Sequence, residues 1–373
     1  MNFILTCGGT AGHINPALAV AGRLRELMPD CGILFIGAEG KMEMELVPRE
    51  GYDILPLKIT NISRGKSLAA IKHNIETLKN VFVSTKEAKK IIRDFKPDAV
   101  IGTGGYVCYP VIKAASALNI PTAIHESNAV PGLTTKLLSG HVDRVIVGFE
   151  ESRNAYGSVG SVTVTGTPVR GTFGGYSKEK AKAELGLDPS KPLVLSVWGS
   201  LGAEHMNQTI VEMLPLMQGQ RDFSLIHAAG KRYYSQLMES LNEPEKLLKD
   251  CCADIREYIY DMPRVMAAAD LILCRAGAST ISELTFLGKP TVFVPSPNVT
   301  NNHQEKNARV LENAGGAKVL LEGEFDAQGL LDTVRALLND QDALDKMSRA
   351  MSSLAVRDAT DKICGVILDM IHK

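Results

Sequence analysis

The sequence predicts an α/β protein of two domains, each a parallel β-sheet with helices on both faces. Three observations support this fold class. The chain has 373 residues, more than the roughly 250–300 at which a single hydrophobic core stops growing. Short apolar runs alternate with longer helical patterns, as is typical of parallel sheets. The pattern starts again after residue 166, and in each half the first strand runs into a glycine-rich turn.

The apolar runs place the strands and the domains. In the first half, residues 1–165, a strand at 3–6 precedes a helical stretch at 16–27, and further strands are predicted at 33–36, 98–101, 122–125 and 144–147. In the second half, residues 166–343, strands are predicted at 193–197, 224–228, 271–274, 291–294 and 317–320. The final stretch, within residues 344–373, has an amphipathic helical pattern and is expected to pack back on the first domain.

The composition is that of a globular protein with balanced charge. Hydrophobic residues make up 45% and charged residues 22% of the chain, and the net charge is −1. Such a balance gives no overall attraction to nucleic acid, so no nucleic-acid partner is expected. Seven scattered cysteines without a CxxC pair predict free thiols in a reducing cytoplasm. The N-terminal apolar run is too short for a signal peptide, and no apolar stretch reaches the roughly 18–20 residues that span a bilayer, so any membrane contact is expected to be peripheral.

The first glycine turn, GGTAGH at residues 8–13, connects a strand to a helix. Glycines allow a ligand to approach, and the helix start offers unpaired N–H groups, although a tight turn without a ligand explains the same residues. The spacing differs from GxGxxG, which disfavours an NAD-dependent oxidoreductase. His13 follows the carboxyl end of a strand, where doubly wound sheets keep their functional crevice, and is a candidate base near neutral pH.

Two more polar clusters follow strand ends in the first half. One is GTGGY at residues 102–106, and the other is HESN at residues 125–128. Because the carboxyl ends of parallel strands meet at one edge of a sheet, both clusters should converge with His13. A hydrogen-bonded network with a structural role is the alternative.

The second half carries a candidate phosphate site. CRAGAST at residues 274–280 follows a strand and opens a helix that contains Glu283. Small residues and hydroxyls at a helix start favour anions, and a carboxylate one turn later can accept both hydroxyls of a ribose. The alternative is a glutamate that stabilises the helix dipole by about 0.3–1 kcal/mol, and the spacing alone does not decide.

Two polar stretches complete the candidates. Residues 295–307 form a long polar segment whose Gln304 amide suits sugar hydroxyls, although a plain surface loop fits as well. Asp340-Gln341-Asp342 has the DxD spacing of many metal-dependent sugar transferases. It lies away from any strand end, so we interpret it as a solvated helix boundary and expect no metal site.

The order and spacing of these motifs resemble the MurG family, membrane-associated transferases that convert lipid I to lipid II in peptidoglycan synthesis. The likeness covers nearly the whole chain. Its motifs are GGTAGHINPALAVA from residue 8, GTGGYVCYP from 102, HESN from 125, GTPVR from 166, GSLGA from 199, CRAGASTISEL from 274 and NHQEKNA from 302. The resemblance implies a GT-B fold of two Rossmann-like domains facing across a cleft. The donor, UDP-N-acetylglucosamine, would bind the second domain and lipid I the first, with inversion. Since no credible metal triplet lies in a loop of the sequence, we expect no metal or cofactor.

The resemblance also implies roles for individual residues. It implies that Glu283 holds the ribose, that Ser200 and the helix start bind the diphosphate, that the main chain of Ile259 reads uracil, and that Arg170 meets phosphate charge. The helix-start residues are Ala278, Ser279, Thr280, Ile281 and Ser282. Gln304 and Asn128 would contact the N-acetylglucosamine, over which Thr10, Ala11 and Gly12 close. His13 is the first choice for the base and Glu126 the second.

Four positions depart from the usual family pattern. Ser127 stands where glutamine is usual, Ala11 where glycine is common, and Trp198 and Leu201 where glycine and glutamine are usual. These differences affect acceptor contacts and loop conformation and leave the reaction unchanged. A transferase with another lipid acceptor, such as diacylglycerol, and a non-catalytic nucleotide-sugar-binding protein remain as alternatives. HESN and GTGGYV disfavour the first of them.

Residues 67–93 combine apolar and basic side chains at helical spacing. The apolar ones are Ile71, Ile75, Leu78 and Phe82, and the basic ones are Lys72, Lys79, Lys86, Lys89 and Lys90. This pattern suits an interfacial helix on anionic lipid, and an ordinary core-facing helix with solvated lysines fits equally. With the resemblance, it predicts a peripheral protein on the cytoplasmic face of the bacterial cell membrane.

Overall fold

The chain divides into two compact units. The fold is that of a computed structural model, which describes residues 1–60, 67–156, 161–299 and 302–372, apart from the side chains of residues 68–76, 78 and 79. Unit 1 comprises Met1–Gly171 and Val356–Lys373, and unit 2 comprises Thr172–Ala355. The division falls after Gly171 and not after residue 165 because the intervening residues bond to unit 1. The Val169 N–H and C=O lie 3.2 and 3.1 Å from the Thr360 hydroxyl.

Unit 1 is built on a seven-stranded parallel sheet with the order β3-β2-β1-β4-β5-β6-β7. Its strands are β1 (Asn2–Thr6), β2 (Gly32–Ala38), β3 (Asp53–Leu57), β4 (Ala99–Gly102), β5 (Thr122–Glu126), β6 (Arg144–Val147) and β7 (Val162–Val164). Its first helices are α1 (Ala11–Leu27), α2 (Glu43–Arg49), α3 (Leu68–Phe95), α4 (Cys108–Ser116), α5 (Leu133–Leu138) and α6 (Glu150–Arg153). Side chains alternate across β1, so Phe3 and Leu5 pack in one apolar cluster and Ile4 in the other, on the opposite face.

Unit 2 is built on a six-stranded parallel sheet with the order β10-β9-β8-β11-β12-β13. Its strands are β8 (Leu193–Val197), β9 (Ser224–Ala228), β10 (Ala253–Arg256), β11 (Leu271–Cys274), β12 (Thr291–Phe293) and β13 (Ala317–Val319). Its helices are α7 (Lys178–Glu184), α8 (Glu204–Met217), α9 (Tyr234–Ser240), α10 (Pro244–Asp250), α11 (Met262–Ala268), α12 (Ala278–Leu287), α13 (His303–Asn313), α14 (Ala327–Leu338) and α15 (Gln341–Ser353). The described residues also include short 3-10 helices at Ser139–His141 and Asn154–Tyr156 in unit 1, and at Gly171–Gly175 where the two units divide.

The C-terminal stretch forms two helices that belong to different units. Helix α15 stays in unit 2, whereas a last helix, α16 (Ala359–Ile371), packs on α1 in unit 1. Ile363 and Ile367 of α16 are fully buried in the same cluster as Phe3. The Asp340 carboxylate accepts a hydrogen bond from the Ala343 N–H at 2.9 Å and caps α15, so the DxD triplet lies at a helix start.

The predicted fold class of two parallel α/β domains is confirmed, and all ten predicted strands form to within two residues at either end. Three strands were not predicted: β3, β7 and β10. Each lies at the edge of its sheet. Central strands of a parallel sheet are buried on both faces and read as apolar runs, whereas these edge strands carry polar residues, and β3 also contains Pro56.

The apolar and basic face predicted for residues 67–93 lies on helix α3, and only some of its side chains are among the described residues. Ile71, Lys72, Ile75, Leu78 and Lys79 have side chains outside the described residues. Phe82 and Val83 are 64% and 58% exposed, and the Lys86 ammonium lies 4.6 Å from the centre of the Phe82 ring. Among the described residues, no helix is both long enough and apolar enough to cross a membrane.

Candidate active site

The carboxyl edge of the unit 1 sheet brings two predicted glycine turns together. The Gly8 N–H donates to the Gly104 carbonyl at 3.2 Å. Gly105 has a φ of +90°, and a Cβ there would overlap the Gly8 carbonyl oxygen. The turns after β1 and β4 therefore fit together only because residue 105 is a glycine.

His13 lies in the first turn of α1, directly above this junction. Its Nδ1 is 2.9 Å from the Gly8 carbonyl oxygen, and its own carbonyl accepts the Thr103 hydroxyl at 2.7 Å. A carbonyl oxygen only accepts, so Nδ1 carries the hydrogen and Nε2 of the neutral ring keeps its lone pair. A Cβ at Gly104 would lie 2.9 Å from Nε2, so glycine at this position leaves space beside the nitrogen that can take up a proton.

Glu43, which the sequence analysis did not single out, lies beneath the same turn. It is fully buried at the start of α2, and its two carboxylate oxygens accept the N–H groups of Gly9 at 3.0 Å and Ala38 at 2.9 Å. Buried carboxylates are retained only when they are hydrogen-bonded in this way. The available signal was its spacing from the buried Val47, four residues later on the same helix face.

The HESN cluster divides into a structural part and a part that faces solvent. The Glu126 carboxylate accepts the Asn128 N–H at 3.0 Å, the Asn128 side-chain amide at 3.0 Å and the Gly132 N–H at 2.9 Å. Burial lowers the pKa of His125 to about 4, so this ring is neutral at physiological pH. Glu126 holds the turn in place, and the partly exposed Asn128 is the member that a ligand can reach.

The glycine turn after β8 in unit 2 has a different support. Gly202 has a φ of +77°, and a Cβ there would overlap the Ala229 carbonyl oxygen. The support is a buried chain in which Ser196 Oγ is 2.9 Å from His227 Nδ1, and His227 Nε2 is 3.2 Å from Asn207 Oδ1. The Asn207 amide donates to the Ala229 carbonyl at 2.9 Å. Burial lowers the pKa of His227 to about 3, so the whole chain is uncharged.

The turn before α12 holds the predicted phosphate and ribose residues. Gly277 is extended, helix α12 begins at Ala278, and the Ser282 hydroxyl donates to the Ala278 carbonyl at 3.1 Å. Glu283 is 6% exposed and close enough to Cys274 to add to the effect of burial, which raises the pKa of that thiol. The Asn307 side-chain amide reaches the Ala276 carbonyl at 3.5 Å and ties α13 to this turn.

The predicted residues thus fall into one set per unit. Unit 1 contains Thr10, Ala11, Gly12, His13, Glu126, Asn128 and Arg170. Unit 2 contains Ser200, Ile259, Gln304 and residues 278–283. The Arg170 guanidinium forms an ion pair with Glu50 at 2.6 Å within unit 1. Gln304 accepts the Ser296 N–H at 2.9 Å, and the Ile259 side chain is buried. In the described part of the chain, no group of three His, Cys, Asp or Glu residues could hold a metal ion.

Two family models match most of the chain. The glycosyltransferase family 28 N-terminal domain matches residues 3–147, and the glycosyltransferase family 28 C-terminal domain matches residues 193–363. The first match covers the turns of unit 1 described above, and the second covers those of unit 2. Catalysis of hexosyl transfer therefore follows from the family.

Full-length relatives agree with these matches. A protein of Acetivibrio thermocellus named UDP-N-acetylglucosamine--N-acetylmuramyl-(pentapeptide) pyrophosphoryl-undecaprenol N-acetylglucosamine transferase is 43% identical, over 100% of this chain and 98% of its own length. A protein of Listeria monocytogenes serotype 4a with the same name is 40% identical over 100% of both chains. The crystal structure of Acinetobacter baumannii MurG has a TM-score of 0.68 at 27% identity and covers 99% of both chains. The chain therefore belongs to glycosyltransferase family 28 and, within it, to the MurG family whose motifs it carries.

Proposed function

We propose that this protein transfers N-acetylglucosamine from UDP-N-acetylglucosamine to the muramyl 4-hydroxyl of lipid I, giving lipid II with inversion at the anomeric carbon. The observation that carries the proposal is the 43% identity, over the whole chain, to a relative named for this reaction. The turns of both units support it, because each unit presents polar groups at the carboxyl edge of its sheet.

The donor is proposed to bind unit 2. Glu283 would accept the ribose hydroxyls, the main chain of Ile259 would pair with uracil, and Gln304 would contact the N-acetylglucosamine. Ser200 and the helix-start residues 278–282 would hold the diphosphate, because N–H groups at a helix start favour anions. The same groups would stabilise the charge that develops on the β-phosphate as UDP leaves, without a metal. Arg170 would bind phosphate only if its guanidinium released Glu50, with which it forms an ion pair.

The acceptor is proposed to bind unit 1, with His13 as the general base. As the acceptor oxygen bonds to the anomeric carbon, its proton passes to His13 Nε2, and the bond to UDP breaks with its electron pair on the β-phosphate oxygen. Asn128 and residues 10–12 would contact the transferred sugar. We place Glu126 second as a base because its carboxylate already accepts three hydrogen bonds.

The test is UDP release with a soluble lipid I analogue. UDP-N-acetylglucosamine should support turnover, and UDP-glucose should be much poorer, since the site amides lose their N-acetyl partner. Release that requires diacylglycerol instead would favour a transferase with another acceptor. Tight binding of UDP-N-acetylglucosamine without release would favour a nucleotide-sugar-binding protein.

We also propose that the protein acts as a peripheral protein on an anionic membrane surface, at the cytoplasmic face of the cell membrane. The exposed Phe82 and Val83 beside Lys86 support this proposal, since apolar and basic groups together favour such surfaces. Flotation with vesicles of phosphatidylglycerol should carry the protein, and Lys72→Glu with Lys79→Glu should weaken binding. The control is Lys346→Glu, on an exposed position of unit 2. Equal flotation of all three proteins would contradict the proposal.

A further inference from the structure

We propose that Glu43 is a positioning residue for His13 and acts through the peptide group that joins Gly8 to Gly9. The inference rests on the proposed function in one respect, the role of His13 as the base. The Gly8 carbonyl and the Gly9 N–H belong to the same peptide group. The carbonyl oxygen lies 2.9 Å from His13 Nδ1, and the N–H donates to Glu43 Oε2 at 3.0 Å. Carboxylate, peptide and imidazole therefore form one continuous hydrogen-bonded chain.

The direction of every bond in this chain is fixed by chemistry. An N–H group only donates, so the two Glu43 oxygens that face the Gly9 and Ala38 N–H groups are both acceptors, as in an ionised carboxylate. The Gly8 carbonyl only accepts, so His13 Nδ1 must donate to it. The chain thus selects the tautomer of His13 in which Nε2 has the free lone pair, which is the form a general base requires.

The carboxylate also changes the strength of the bond to His13. A charge that accepts the peptide N–H polarises the amide and makes its carbonyl oxygen a better acceptor. When His13 takes up the acceptor proton, its Nδ1–H becomes a charge-assisted donor to that carbonyl. The negative charge of Glu43 therefore stabilises the imidazolium although no side-chain contact joins the two residues. The carboxylate of a nucleophile–base–carboxylate triad has the same role, but here a peptide group lies between the carboxylate and the imidazole.

The geometry leaves Glu43 little freedom to do anything else. A Cβ at Gly37 would lie 2.5 Å from Glu43 Cγ, and a Cβ at Gly8 would lie 2.5 Å from Oε1, so both positions are glycine where the side chain passes. Burial raises the pKa of the nearby Tyr106 hydroxyl and Cys108 thiol, the latter to about 12, and the Glu43 charge adds to both effects. These neighbours remain neutral, and the carboxylate remains directed at the turn.

The test uses Glu43→Gln in the full-length enzyme, with Glu45→Gln as the matched control. Glutamine has the same shape but a single acceptor oxygen, so its NH2 group must face one of the two N–H donors. Glu45 carries the same charge on the same helix, and pairs with Arg49 at the surface. Protein labelled with ¹⁵N-histidine reports the tautomer of each ring by NMR, and the signals of His13 are identified by their loss in His13→Gln.

Wild type and Glu45→Gln should show His13 protonated at Nδ1. In Glu43→Gln the glutamine NH2 group displaces one of the two N–H donors and with it the Gly8 carbonyl, so His13 should show a mixture of the two neutral tautomers. The kcat of Glu43→Gln should fall by about 10–100-fold. Its KM for UDP-N-acetylglucosamine should change by less than about twofold, because a positioning effect on the base leaves uniform donor binding intact. A purely structural role of Glu43 would lower the melting temperature without changing the tautomer.

Two results would overturn the inference. One is a wild-type enzyme with His13 protonated at Nε2, and this result decides the matter even if Glu43→Gln does not fold. The other is a folded Glu43→Gln whose His13 tautomer and kcat equal those of wild type. The NMR result is independent of activity. A wild-type enzyme that releases no UDP with the lipid I analogue would contradict the proposed function. The NMR spectrum would then still decide whether Glu43 sets the tautomer of His13.

Discussion

The two glycine turns that follow the first strand of each sheet are alike in backbone and different in what supports them. Each meets a neighbouring turn at a glycine that lets a carbonyl come close. In unit 1, Gly105 of the turn after β4 admits the Gly8 carbonyl, and in unit 2, Gly202 admits the carbonyl of Ala229. Beneath the first turn lies the buried carboxylate of Glu43. Beneath the second lies an uncharged chain with His227 at its centre.

The difference matches the charge that each turn is proposed to meet. His13 is proposed to become a cation by taking the acceptor proton, and a buried carboxylate would favour that change. The turn at Ser200 is proposed to meet a diphosphate, and a carboxylate beneath it would repel each unit of negative charge on the ligand by about 2 kcal/mol at about 8 Å and an effective dielectric constant of about 20. We therefore propose that similar sequence patterns form one turn that suits a cation and another that suits an anion. The predictions below test this contrast, from the largest expected effect to the smallest.

Replacing His13 should have the largest effect. His13→Ala removes the proposed base, so kcat should fall by about 10²–10⁴-fold. The KM for UDP-N-acetylglucosamine should stay near its wild-type value, because the donor is proposed to bind unit 2. Steady-state UDP release measures both parameters, and His372→Ala, at an exposed position of the same unit, is the control. Near-wild-type turnover of His13→Ala would remove this residue from the role.

Replacing the glycine at each turn should weaken the binding of one substrate and leave the other unaffected. Gly202→Ala and Gly105→Ala each introduce a Cβ where a neighbouring carbonyl lies. Gly202→Ala should raise the KM for UDP-N-acetylglucosamine by more than about tenfold, and Gly105→Ala should raise the KM for the lipid I analogue, because overlap with backbone shifts the turn. Gly219→Ala and Gly40→Ala are matched controls, because both glycines also have positive φ and open space around the new Cβ. Their strain of about 1–2 kcal/mol should lower stability and leave both KM values unchanged.

The sequence predicted the backbone of these turns better than their supports. Glycine turns and strand ends are local patterns, so the positions of His13 and residues 278–283 on the sheet edges followed from spacing alone. Glu43 is 34 residues from its partner Gly9, and Asn207 is 20 residues from His227. Such contacts depend on how helices pack on the sheet, which periodicity does not encode. The pairing of Arg170 with Glu50, 120 residues away, could not be predicted from the sequence for the same reason.

A single substitution in unit 2 should separate donor affinity from chemistry. Glu283→Ala removes the carboxylate proposed to accept the ribose hydroxyls and should raise the KM for UDP-N-acetylglucosamine by about 10–100-fold, as expected for a lost charged hydrogen bond. Its kcat at saturation should fall much less, in contrast with Glu43→Gln. Glu245→Ala, at an exposed position of α10, is the control. An unchanged donor KM would remove Glu283 from the role of ribose ligand.

The smallest expected effect is a pH dependence of unit 2 stability that comes from His227. Burial lowers its pKa in the folded protein to about 3, against about 6.5 in an unfolded chain. Between these values the unfolded state binds a proton that the folded state does not. The free energy of unfolding should therefore fall as the pH drops below about 6.5, by about 1.4 kcal/mol per pH unit from this residue.

Urea unfolding followed by the fluorescence of Trp198 measures this effect, because it is the sole tryptophan and is buried in the core of unit 2. His227→Gln should be less stable than wild type at pH 7.5 by about 1–3 kcal/mol, since glutamine cannot bond to both Ser196 and Asn207 in the same geometry. That difference should shrink towards pH 5, where wild type has lost stability and the variant has no proton to exclude. Met206→Ala, a cavity in the same core, should cost the same at every pH. A difference between wild type and His227→Gln that stays constant with pH would mean that His227 takes up a proton in the folded protein as readily as in the unfolded chain, and the contrast between a charged and an uncharged support would then be lost.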